Sequence, residues 1–154
     1  MKLSTHIAVG GSLAAAVALL LGCGLDCTWY AVVSAIVANL AVDMLGHESR
    51  PYPRRTRLSH SPVGPLLFSL PLLLPPLLQA PPGDALRAAA SVLVGAYSHL
   101  LLDAVTEGGV YRSPFSGRRF RLASLPYNHP LLNSVAVLAS AVLLLAVLAY
   151  RLLW

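Results

Sequence analysis

Residues 97–121 read YSHLLLDAVTEGGVYRSPFSGRRFR, from Tyr97 to Arg121, and the two halves of this stretch set opposite conditions on the fold. The first half is an apolar run carrying His99, Asp103 and Glu107 at i, i+4 and i+8, so on a helix they stack along one face. The second half is a cluster of arginines. Ionisable groups on a lipid-embedded helix are costly to bury and by default mark a functional site. The rest of the chain is therefore read for what it brings to that face.

Hydrophobic residues make up 56% of the 154 residues and charged residues 11%, with a mean hydropathy of +0.70. Soluble domains carry about 25% charged residues, so this composition belongs to a membrane protein. The length suits one unit, a single integral membrane domain over residues 1–154. Five apolar segments lie near the ~20 residues of a bilayer crossing, at 7–25, 28–45, 63–79, 85–105 and 131–153. The third contains Pro71, Pro75 and Pro76, which remove donors and predict a bent or broken span. The expected fold is an all-α polytopic membrane helical bundle of about five transmembrane helices with a proline-broken third. The start of the chain, ending Leu20-Leu21-Gly22-Cys23, imitates a lipoprotein signal but reads as a retained first span. Cys23 and Cys27 share one short loop, where unpaired thiols are the plainer reading and a disulfide the alternative.

Charge sets the orientation. If every segment crosses, Lys2, Arg50, Arg54, Arg55, Arg57, Arg112, Arg118, Arg119 and Arg121 share one side, and only Arg87 and Arg151 face the other. Nine against two predicts a cytoplasmic N-terminus in the cell (inner or plasma) membrane, with multiple passes. The net charge of +5 is then accounted for by orientation, and no nucleic-acid partner is expected. The same topology gathers His6, His47, His60, His99 and His129 at the cytoplasmic end, with Asp43, Glu48, Asp103 and Glu107. Nothing in the charge count required that.

Within this group, Asn39, Asp43 and His47 repeat the i, i+4, i+8 spacing at the end of the second span, provided its helix runs through Gly46. Two helices running the same way can bring such faces to one centre. Imidazole with carboxylate suits a divalent metal, zinc first, with manganese or magnesium as alternatives. The predicted donors are His6, Asp43, His47, His60, His99 and Asp103. Glu107 and Glu48 follow them in sequence and are candidates for the catalytic base. Arg55, Arg57, Arg118 and Arg119 are candidates for binding a phosphate, for which guanidinium geometry is well suited. His129, before Pro130, reads as a helix cap instead.

The sequence resembles the YdjM-like family of membrane-bound metal-dependent hydrolases, most closely a short archaeal-type branch. The resemblance lies in Thr5-His6, Asp43 to His47, Ser59-His60-Ser61, Ser98-His99-Leu-Leu-Leu-Asp103-Ala-Val-Thr106 and Arg119-Phe120-Arg121-Leu122. The family commonly has Asp-x-Asp-His where this chain has Asp43-Met-Leu-Gly-His47. It also commonly has His-Arg-Gly-x-Thr-His-Ser where this chain has Arg55-Thr56-Arg57-Leu-Ser59-His60-Ser61. Two family ligands are thus absent, which implies a single metal, or a weakened second one beside it.

The expected function is an integral membrane metal-dependent hydrolase with its site at the cytoplasmic leaflet. Its substrate would be a lipid or other amphiphilic phosphate, a phosphoester such as a phospholipid or isoprenoid phosphate. The alternative is a non-catalytic membrane protein with a structural metal site, or a metal-ion transporter. No oligomeric state is assigned.

Overall fold

The computed structural model describes residues 1–48 and 54–153, with the backbone alone for residues 47, 48 and 54. Five helices run α1 (Leu3–Leu20), α2 (Leu25–Met44), α3 (Val63–Gln79), α4 (Pro82–Ala104) and α5 (Pro130–Leu153). Two minimal antiparallel pairs join them: β1 (His47–Glu48) with β2 (Arg54–Arg55), and β3 (Val110–Tyr111) with β4 (Arg119–Phe120). Four of the helices are long and apolar enough to cross a membrane, and α3 is shorter at 17 residues. The chain is an all-α multi-pass membrane bundle, and the strands are loop decoration at the end where the histidines lie.

Small residues decide how the helices approach. In α1, α2 and α4 the buried face is mostly Gly, Ala and Ser, whereas large apolar side chains such as Leu138 and Leu145 point outward from α5. That distribution fits lipid, in which close backbone contact replaces the hydrophobic drive for helix association. The tightest crossing pairs Gly10 with Gly95. A Cβ on Gly95 would stand 2.6 Å from Ala35 Cβ and 2.7 Å from the Gly10 carbonyl oxygen. Asn39 seals the crossing by donating from Nδ2 to the carbonyls of Ala35 (2.8 Å) and Gly95 (3.1 Å). Around this centre α1 packs on α2, α4 and α5, while α3 lies against α4 and α2.

Three expectations need correction. The break predicted in the third span is absent, because α3 continues through Pro71, Pro75 and Pro76. Pro76 has no N–H to offer the Leu72 carbonyl four residues back, and the Tyr30 hydroxyl of α2 donates to that oxygen instead. A neighbouring helix thus satisfies a group the proline leaves open. The thiols are also not separate: Cys23 and Cys27 are joined as a disulfide. Gly22, at a positive φ of 79°, turns the chain out of α1 so that Cys23 meets the first turn of α2. Finally, α2 ends at Met44 and does not run through Gly46, so His47 leaves the helical register of Asn39 and Asp43. A Cβ on Gly46 would lie 1.9 Å from the Val42 carbonyl oxygen, so only glycine fits this turn.

Candidate metal centre

His99 and Asp103 stand one turn apart near the end of α4 and are both fully buried. Opposite them, Asp43 comes from the last turn of α2 and His6 from the first turns of α1. The start of α1 is held by Asn133 of α5, whose Oδ1 accepts from the Thr5 hydroxyl (2.6 Å) and the Lys2 N–H (3.1 Å). Asn133 is itself fixed, since its Nδ2 donates to the carbonyls of Tyr127 and His129. His129 caps α5, with Nδ1 accepting from the Leu132 N–H at 3.4 Å, in line with its expected boundary role.

His60 is delivered by the turn before α3. Thr56 and Ser59 hydroxyls bond each other at 2.6 Å, and Ser59 Oγ lies 2.8 Å from His60 Nδ1 and 3.2 Å from the Gly46 carbonyl. The Tyr111 N–H of β3 holds the His60 carbonyl at 2.8 Å. With Nδ1 engaged by Ser59, Nε2 is the nitrogen that faces the carboxylates. Burial holds the His60 imidazole below its ordinary pKa, against the raising influence of Asp43 and Asp103. Neutral imidazole is the form that binds metals.

The resulting distances are of the size a small bridging ion would span. Asp103 Oδ2 lies 3.5 Å from His99 Nε2 and 3.6 Å from His60 Nε2. Asp43 Oδ1 lies 3.6 Å from His99 Nε2 and 3.9 Å from His60 Nε2. Donors at 2.0–2.1 Å around a tetrahedral ion would be about 3.4 Å apart. The four nitrogen–oxygen separations are slightly wider than that, and His60, His99 and Asp103 form one grouping able to hold an ion. His6 belongs to a second grouping with Asp43 and His99, its ring stacked on His99 with centroids 3.8 Å apart. Both ring nitrogens of His6 and of His99, and Asp103 Oδ2, are buried without a hydrogen-bond partner among the described residues. Buried polar atoms are rarely left so, and a shared cation would satisfy them together.

Asp103 divides its two oxygens. While Oδ2 faces His60 and His99, Oδ1 accepts from Arg55 Nη2 at 2.7 Å and from the Met1 amino group at 2.9 Å, and lies 3.4 Å from His6 Nε2. Arg55 also donates from Nη1 to the Gly109 carbonyl at 3.1 Å. Gly108 makes room for it, since a Cβ there would stand 2.3 Å from Arg55 Nη1.

Beside the cluster opens a cavity of about 910 Å³. Asp43, Arg55, Arg57, Glu107 and Arg119 line it, so the donor face and the predicted base share one space. Glu107 arrives by a turn, because α4 ends at Ala104 and the Glu107 N–H bonds the Leu125 carbonyl. Arg119 is pinned by a bond from Nη1 to the Gly108 carbonyl (3.1 Å), by Tyr111 Oη, and by the Tyr111 ring 4.6 Å from its Cζ. Arg118 is exposed on the β3–β4 loop and does not line the cavity. The side chains of His47 and Glu48 lie outside the described residues. Sequence reasoning missed Ser59, Tyr111 and Asn133. Only Ser59 carried a signal, through its place beside His60 in Ser59-His60-Ser61.

The family model for the YdjM inner membrane protein matches residues 1–154. The chain belongs to this family. No curated protein and no solved structure matches it.

Proposed function

We propose that this member of the YdjM inner membrane protein family is a metal-dependent hydrolase acting at the cytoplasmic leaflet on a phosphoester, such as that of a phospholipid or isoprenoid phosphate. The observation that carries the reading is the set of 3.5–3.9 Å separations between His60, His99, Asp43 and Asp103, opening onto a cavity lined with cations. The four would hold a divalent ion, zinc by the mixture of imidazole and carboxylate, with manganese or magnesium as alternatives. His6 stands by as a further donor, and His47 remains in the proposed set. Bound there, the ion supplies Lewis acidity that makes water a competent nucleophile near neutral pH.

The chain's own residues do the rest. Glu107 faces the cavity and takes the proton of the attacking water, with Glu48 the other proposed base. As the water oxygen bonds to phosphorus, the ester P–O bond breaks, and the alcohol leaves with a proton returned from the base. The cavity arginines balance the charge that develops on the phosphoryl oxygens, and Arg118 is proposed as an outer contact. Arg55 keeps Asp103 Oδ1 anchored, so Oδ2 stays turned toward His60 and His99.

A structural metal is the second reading, and one observation favours it: the grouping of His60, His99 and Asp103 is buried throughout. Asp43 is the donor whose separations are widest and whose side chain borders the cavity, which favours the catalytic reading. For a transporter, polar groups would have to continue across the bilayer, yet the ionisable residues of the described spans sit near their ends. The test is metal content by mass spectrometry, together with metal-dependent phosphate release from lipid phosphates. Wild type is expected to hold about one ion per chain and to release phosphate, and His99→Ala with Asp103→Ala to do neither. Unchanged activity in that double variant overturns the catalytic reading. Stoichiometric metal without turnover of any phosphoester establishes the structural one.

A further inference from the structure

The cations of the cavity are not equivalent. Arg55 is committed to Asp103 and Gly109, and Arg119 is pinned on Gly108 and Tyr111. The side chains of Lys2 and Arg57 line the same cavity with no hydrogen bond or ion pair among the described residues. Arg57 reaches across toward the β3–β4 loop, where a Cβ on Gly117 would stand 3.8 Å from its Nη2. Lys2 comes from the start of α1 and Arg57 from the turn before α3, so the two approach from separate elements.

We infer that this cavity takes a terminal phosphate, a phosphomonoester dianion borne by a membrane amphiphile, and that Lys2 and Arg57 are the side chains that grip it. The inference deepens, and rests on, the hydrolase reading above. Among the described residues, the lining cations Lys2, Arg55, Arg57, Arg119 and the Met1 amino group stand against Asp43, Glu107 and the adjoining Asp103, five positive charges to three negative. Any divalent ion held by the donors widens that excess. An electropositive pocket with two free cations favours a ligand bearing two negative charges over a diester bearing one. The amphiphile follows from the apolar part of the wall, where Leu3 and Met44 line the same space. Met44 ends α2 with 69% of its surface exposed, facing outward from the bundle, and offers a path for an acyl or prenyl chain into the bilayer. A free phosphate would leave that wall unused.

The test measures binding apart from turnover. The full chain, purified in a neutral detergent and treated with chelator, is titrated calorimetrically with three probes. These are dioctanoyl phosphatidic acid, dioctanoyl phosphatidylglycerol and inorganic phosphate. Phosphatidic acid is expected to bind at least about 10-fold more tightly than the other two. Arg57→Gln and Lys2→Gln should each weaken it by about 10-fold and narrow its lead over the diester. Arg112→Gln removes the same charge from the β3–β4 loop outside the cavity and should leave binding unchanged. Arg57→Lys should recover part of the loss, which separates lost grip from lost folding. Equal affinity for monoester and diester, or a fall in Arg57→Gln no larger than in Arg112→Gln, overturns the proposal. Inorganic phosphate binding as tightly as the lipid overturns the amphiphile and leaves a soluble phosphate as ligand. Phosphate release from wild type with metal restored tests the hydrolase reading separately. Binding without release removes the reaction but keeps the anion site, whereas release with an unchanged KM in Arg57→Gln does the reverse.

Discussion

Ser59 sets which nitrogen of His60 meets the carboxylates. Its hydroxyl holds Nδ1 at 2.8 Å, which leaves Nε2 facing Asp43 and Asp103. Partners of this kind fix the tautomer and ring orientation of a ligating histidine, and losing one costs about 10-fold to 100-fold in metal affinity. Ser59→Ala should therefore bind zinc more weakly by about that factor in a competition titration with a chromogenic chelator, while the fold persists. An unchanged affinity would mean that packing alone orients the ring. Arg55→Gln should do comparable harm at Asp103, because it removes the bond that anchors Oδ1 and with it the orientation of Oδ2 toward His60 and His99. His99 and Asp103 were legible because helical spacing places them on one face with no help from elsewhere. His60 was legible as a member of the right end of the bundle. The roles of Ser59 and Arg55 were not, since which carboxylate oxygen or ring nitrogen is taken depends on contacts between distant segments. His47 was misread in register because Gly46 ends the helix it was assumed to continue.

Among the elements, α3 best separates pattern from context. Its bounds follow directly from the apolar run, and the sequence marks its prolines as trouble. The remedy lies on another helix, where the Tyr30 hydroxyl serves the carbonyl that Pro76 cannot. Tyr30→Phe should lower stability by about 1 kcal/mol in denaturant titration of the detergent-solubilised protein, with metal binding retained. If stability does not fall, the Leu72 carbonyl finds another donor and the tyrosine is not what preserves the helix. The crossing of α1, α2 and α4 makes a sharper demand. At Gly95 a methyl group already meets Ala35 and the Gly10 carbonyl below 3.0 Å. Overpacking of this kind typically costs about 1–3 kcal/mol, so Gly95→Ala should lose stability in that range, and Gly95→Leu should separate α4 from α1 and α2. The larger variant should lose its metal as well, because those helices carry His99, Asp103, His6 and Asp43. Retained metal in folded Gly95→Leu would show that the donors do not depend on this crossing.

For the molecule as a whole, alternation of five helices brings the start of α1, the end of α2, the start of α3, the end of α4 and the start of α5 to one end. That much was legible, because each reversal is marked by turn residues and each run is long enough to count. The asymmetry of nine basic residues against two predicts that this end faces the cytoplasm. A C-terminal alkaline phosphatase fusion should accordingly be active and a C-terminal green fluorescent protein fusion dark. The reverse pattern would turn the molecule over and place the His/Asp cluster on the far side of the membrane.

Four separate stretches of chain supply the donors: His6 early, Asp43 next, His60 between α2 and α3, and His99 with Asp103 only at the end of α4. This order matters for biogenesis. During synthesis the first two helices enter the bilayer carrying a histidine and an aspartate at their ends, with the counterparts still unmade. Those groups must wait at the water boundary until more than one hundred residues have emerged. Loading of an ion would thus be a late event, since both donor groupings include His99 of α4.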